Sequence, residues 1–98
     1  MNDLDSIKKK ISEHKDYLKD KYGAVEIGIF GSYVKSRQKK GESDIDILVD
    51  FEDGITLLKF IEMENYLSDQ LGIKVDLVMK RALKPRIGKQ ILKEVIYV

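Results

Sequence analysis

Two aspartates spaced by one residue, Asp44 and Asp46, follow a Gly31-Ser32 step, and a third, Asp76, is the one acid inside the apolar run Val75-Asp76-Leu77-Val78-Met79. Carboxylate oxygens suit a hard divalent cation, and a glycine turn that exposes backbone N–H groups suits phosphate. These are the two halves of a nucleotide-handling site. In the apolar-rich stretch Ser43–Phe51 a two-residue period puts Asp44, Asp46, Leu48 and Asp50 on one side. Residues i and i+2 of a strand lie roughly 6.5–7 Å apart, so Asp44 and Asp46 can converge on a pair of cations about 3.5–4 Å apart. Asp50, further along, reads as a surface acid. An unpaired buried carboxylate is costly, so Asp76 meets a cation, pairs with a base such as Lys74, or lies at an exposed strand end.

The elements that must position these residues punctuate the chain clearly. Leu4, Ile7, Ile11 and Leu18 recur at helical spacing and Gly23 stops the pattern, which predicts a helix over 4–22. Val25–Phe30 reads as a first strand, broken by Gly31-Ser32-Tyr33 and followed by a short helix from Ser32. A polar loop, 38–43, leads to the second strand, and Asp53-Gly54 marks the turn after it. Leu57, Leu58, Ile61, Leu67 and Leu71 predict a helix ending at Gly72, and a third strand follows near 73–79. Pro85 suits the first turn of a last helix in which Ile87, Ile91 and Val95 repeat every four residues.

Composition narrows the class. With 98 residues, 43% hydrophobic and 36% charged, the chain reads as one globular domain over 1–98. Eighteen Lys+Arg against 17 Asp+Glu give a net charge of +1, which offers no general electrostatic case for nucleic acid. There is no cysteine, which excludes disulfides, thiolate metal sites and cysteine nucleophiles. No apolar run approaches the roughly 20 residues of a membrane span and the charged start lacks a signal-peptide core, so a cytoplasmic protein is expected. His14, without a second His or Cys nearby, reads as a surface residue. Tyr33, next to Ser32, is a candidate for lining a nucleotide pocket. The run Lys35, Arg37, Lys39, Lys40 reads either as solvated charge or as a triphosphate contact. The basic group Lys80, Arg81, Lys84, Arg86, Lys89 and Lys93 reads as a surface helix face, with a protein or RNA contact left open.

The order Gly31-Ser32, Asp44-x-Asp46 and a lone Asp76 on a later strand resembles the nucleotidyltransferase superfamily that includes DNA polymerase β. Within it the chain resembles the small minimal nucleotidyltransferases, over nearly its whole length and including its ending, Leu83–Gly88 and Val95–Val98. The resemblance departs in the turn. The family's usual Gly-Ser-x-Ala-Arg-Gly is here Gly31-Ser32-Tyr33-Val34-Lys35-Ser36, and the loop from Ser32 to Asp44 is one residue longer. Lys35, where an Arg is usual, supplies a point charge without a bidentate fork.

The resemblance implies an α/β (α+β) fold, a short mixed sheet with helices packed on one side. It implies that Asp44, Asp46 and Asp76 are catalytic and bind two Mg2+ ions, and that Gly31, Ser32, Lys35 and Arg37 hold the phosphates of ATP. Minimal nucleotidyltransferases are typically paired with a small helical HEPN-domain protein, often as the antitoxin that transfers AMP from ATP to a tyrosine of the toxin. A hetero-oligomer with such a partner is therefore expected. A non-catalytic module that neutralises its partner stoichiometrically, and transfer to a small hydroxyl compound or an RNA end, are the alternatives.

Overall fold

The computed structural model describes residues 4–34, apart from the side chain of Ser32, and 44–98. The first helix, α1 (Leu4–Tyr22), has the bounds its apolar spacing predicts, and its Ile7, Ile11 and Leu18 are buried. The strands β1 (Ala24–Phe30) and β2 (Ile45–Phe51) follow. Then come α2 (Leu57–Leu71), β3 (Val75–Met79), α3 (Pro85–Glu94) and a two-residue β4 (Ile96–Tyr97). Thr56 caps α2 by accepting a hydrogen bond from the Lys59 amide at 3.2 Å, and Gly72 ends the helix in the left-handed conformation.

The sheet is mixed, with strand order β3-β2-β1-β4. β1 runs antiparallel to both β2 and β4, while β2 and β3 are parallel. Beyond the irregularity in β1 between Ala24 and Glu26, the two-residue period sorts the strand side chains onto two faces. Ile27, Ile29, Ile45, Ile47, Val49, Phe51, Val75 and Leu77 point to one face, where α1 and α2 pack, with Met63, Leu67 and Leu71 completing this core. Burying each large apolar side chain contributes about 1.5–3 kcal/mol, so this layer holds the sheet to the helices.

The other face carries Glu26, Gly28 and Phe30 of β1, Asp46, Leu48 and Asp50 of β2, and Asp76 and Val78 of β3. Gly28 is required here, because a β-carbon on it would lie 2.5 Å from the Val95 side chain and 3.2 Å from the Tyr97 ring. The chain end can therefore fold down beside β1, where the Val98 amide donates to the Ile27 carbonyl at 2.8 Å. The expected α+β architecture is observed, with α1 and α2 on one side; among the described residues α3 adds nothing to their core. No described helix is long and apolar enough to cross a membrane.

Candidate active site

Three of the expected residues meet at one end of the second face. Phe30, the last residue of β1, is paired with Asp46, and Asp46 is paired in turn with Asp76 on β3. Parallel neighbours are about 4.8 Å apart in the hydrogen-bonding direction, so the two carboxylates rise side by side from adjacent strands. Gly31 follows Phe30 immediately, with φ +80, and opens a single 3-10 turn, Gly31–Tyr33, closed by the Val34 amide donating to the Gly31 carbonyl at 3.1 Å. A β-carbon on Gly31 would collide with the Asp46 carboxylate. Glycine is thus needed twice at this position, for its positive φ and for the approach of the acid.

The carboxylates repel one another. The Asp46 carboxyl is pushed up from the ordinary 3.8 to about 6, first by burial and then by the negative charge of Asp76 and Asp44, with a hydrogen bond to Asp76 adding to the rise. Asp44, just ahead of β2, is exposed and forms an ion pair with Lys74 at 3.8 Å. Lys74 therefore serves Asp44, whereas pairing with Asp76 was the alternative left open by the sequence. Among the described residues no three acidic or histidine side chains already converge closely enough to enclose a metal ion. The donor set still fits a hard divalent cation, since it offers only oxygens and concentrates negative charge that a cation would relieve.

The other end of the same face is occupied by ion pairs. Arg81 reaches Asp50 with Nε 3.0 Å from Oδ1, a contact whose angle does not make an aligned hydrogen bond, and its NH2 donates to the Phe51 carbonyl at 2.7 Å. Lys80 Nζ lies 2.6 Å from Glu26 Oε1 and 5.5 Å from the Tyr97 ring centroid. Asp50 is thus engaged by Arg81 and stands apart from the Asp46–Asp76 pair, at the far end of β2.

Two readings are corrected. Tyr33 is buried in the core at 6% exposure, because the 3-10 turn swings it inward, and it is not available to line a pocket. His14 is half-buried and makes a hydrogen bond between Nδ1 and the Tyr66 hydroxyl at 2.9 Å, tying α1 to α2. Lys35, Arg37, the loop 38–43 and the Ser32 side chain lie outside the described residues, as does any helix beyond Val34. Sequence reasoning passed over Glu64 and Ser68, whose side chains accept hydrogen bonds from the two amides flanking Asp76. The one signal was their spacing by four on α2.

A glycine turn set against one of two adjacent strand carboxylates defines the class. The nucleotidyltransferase domain family matches residues 11–98, and the chain belongs to that family. It is a nucleotidyltransferase of the minimal type. It is 53% identical over 95 residues to the protein adenylyltransferase MntA of Thermococcus cleftensis, covering 97% of this chain and 95% of that one. A proposed minimal nucleotidyltransferase of known structure aligns with TM-score 0.78 and 37% identity, covering 96% of this chain and 94% of the other. A toxin–antitoxin complex crystallised with AMP-PNP contains a chain that aligns with TM-score 0.76 and 28% identity, covering 92% and 70%.

Proposed function

We propose that this chain is a Mg2+-dependent protein adenylyltransferase that moves AMP from ATP to a tyrosine hydroxyl of a HEPN-domain toxin and so acts as its antitoxin. The observation that carries the reading is the contact between the Gly31 turn and Asp46, beside Asp76. It supports reading the turn as a phosphate cradle beside a carboxylate pair. The likeness to an adenylyltransferase at 53% identity and to a toxin–antitoxin chain crystallised with an ATP analogue supports both the donor and the partner.

Asp46 and Asp76, with Asp44 released from Lys74, would hold the cations. Magnesium bound there would offset the charge of the triphosphate. Gly31 brings the chain up against Asp46 with no side chain in the way, so the β- and γ-phosphates can lie along the turn. Asp76, more exposed than Asp46, faces the acceptor and takes the proton of the attacking hydroxyl. The hydroxyl oxygen bonds to the α-phosphorus, the bond from that phosphorus to the bridging oxygen breaks, and pyrophosphate leaves. Lys35 and Arg37 are assigned to the leaving pyrophosphate.

Exposed apolar side chains support a protein partner. Leu57 and Leu58 are 75% and 79% exposed on α2, and Ile87 is 58% exposed on α3. The test is incubation with magnesium, the product of the neighbouring reading frame, and ATP labelled at either the α- or the γ-phosphate, with an Asp44→Asn/Asp46→Asn control. Label retained on the partner from the α position alone, and lost in the control, is expected. A stable complex without transfer would instead make the chain a stoichiometric binding module.

A further inference from the structure

β3 is the outer strand of the sheet on its side, so its outward-facing amides have no strand to pair with. Two of them are nevertheless taken. The Val75 amide donates to Ser68 Oγ at 2.9 Å and the Leu77 amide donates to Glu64 Oε2, also at 2.9 Å. Ser68 Oγ in turn donates to the Glu64 carbonyl at 3.0 Å, which fixes its lone pairs toward the strand. Val75 and Leu77 flank Asp76 on either side, and both acceptors come from a single turn of α2.

The spacing accounts for the match. Four residues of helix rise about 6 Å and two residues of strand about 6.6 Å, so side chains at 64 and 68 meet amides at 77 and 75 when helix and strand run in opposite directions. The amide of Asp76, lying between them in the alternation, turns inward to β2, in register with Asp46. Asp76 is held from both sides: by β2 through its own peptide and by α2 through its neighbours' peptides.

We infer that Glu64 and Ser68 are positioning residues that set the height of Asp76 against Asp46, and thereby the affinity of the carboxylate pair for a divalent cation. This rests on the cation-binding role assigned to Asp76 under Proposed function. It goes beyond that role by giving two residues of α2, neither of them in the site, control over it. What Glu64 must supply is an acceptor oxygen, and the amide oxygen of Gln can replace it where Leu cannot.

The test compares the whole chain with its Glu64→Leu, Glu64→Gln and Ser68→Ala variants, using Mn2+ alone as the probe ion. Three quantities are read: amide hydrogen exchange at Leu77 and Val75, the Mn2+ dissociation constant, and kcat and KM for ATP in AMP transfer. Partners that orient a metal's ligands typically control affinity or activity by about 10- to 100-fold. Glu64→Leu is therefore expected to lose protection at Leu77, weaken Mn2+ at least tenfold and lower kcat similarly, with KM for ATP within about twofold. Glu64→Gln is expected to stay within about threefold of the unsubstituted chain.

Loss of Leu77 protection with unchanged Mn2+ affinity would overturn the inference, as would a Glu64→Gln variant as impaired as Glu64→Leu. If Glu64→Leu does not fold, Ser68→Ala decides on the same terms through the Val75 amide. Absence of AMP transfer by the unsubstituted chain counts against the proposed function alone, because exchange and Mn2+ binding are read without turnover.

Discussion

The Asp46 carboxylate fills the space that a β-carbon on Gly31 would need, which couples the turn after β1 directly to the acid on β2. A side chain at position 31 could enter only by displacing the Asp46 carboxylate. Placing the turn and the acid on antiparallel neighbours is what brings them together, since the end of β1 and the start of β2 share one end of the sheet.

Gly31→Ala should therefore act on stability and on the site at once. The left-handed conformation costs a non-glycine residue roughly 1–2 kcal/mol, and displacing Asp46 adds to it. Expected are a lower midpoint of thermal unfolding and a loss of Mn2+ affinity of at least about tenfold. A variant that is destabilised yet binds Mn2+ normally would show that the contact with Asp46 relaxes without consequence.

Lys74→Ala tests whether Asp44 is held or merely attended. The pair is exposed on both sides, and such pairs contribute about 0–1 kcal/mol, so the unfolding midpoint should hardly move. Removing the competing cation should leave Mn2+ affinity equal or about twofold better, because Asp44 no longer has to exchange partners. A clear weakening, measured by titration at low ionic strength, would mean that Lys74 orients Asp44 for the metal.

Tyr66→Phe removes the bridge to His14 while keeping the ring, which also packs at 4.9 Å between centroids against Tyr17. A hydrogen bond of this kind contributes about 1 kcal/mol. The expected fall in midpoint is about 4–8 °C for a domain of this size, with AMP transfer unchanged when assayed below the transition. Altered kcat at full folding would connect the α1–α2 contact to the site.

Much of this architecture is legible in the sequence because it is local. The spacing of Leu4, Ile7, Ile11 and Leu18 bounds α1, and Asp46 and Asp76 stand out as acids in apolar strands, with Asp44 just ahead of the first of them. The misses are long-range or too short to have a period. β4 has two residues, far fewer than an alternation needs, and its place depends on Gly28 in β1. His14 and Tyr66 lie 52 positions apart, and no local pattern links them. Tyr33 reads as a site residue by adjacency to Ser32, yet one 3-10 turn is enough to send it into the core. Glu64 and Ser68 escape notice because ordinary helix-surface residue types serve an edge strand whose position was not yet known.

The pH dependence of the metal-free protein should carry the signature of Asp46. Its carboxyl is pushed up to about 6 from 3.8, so the folded state binds the proton more tightly than the unfolded chain does. The stability from the protonated acid is fully present below 3.8, declines as pH rises toward 6 and is absent above it. At pH 7.5 without metal the ionised carboxylate therefore opposes folding. Asp46→Asn removes that repulsion, and after allowance for solvent screening at this half-buried site a gain of about 1 kcal/mol is expected. The advantage over the unsubstituted chain should shrink as the pH is lowered through 6 to below 4. Added Mg2+ should stabilise the unsubstituted protein at pH 7.5 and leave the variant unmoved. Thermal unfolding over pH 4–8, with and without Mg2+, reads all of this. A variant less stable than the unsubstituted protein at pH 7.5 without metal would mean that Asp46 makes a stabilising contact as an anion.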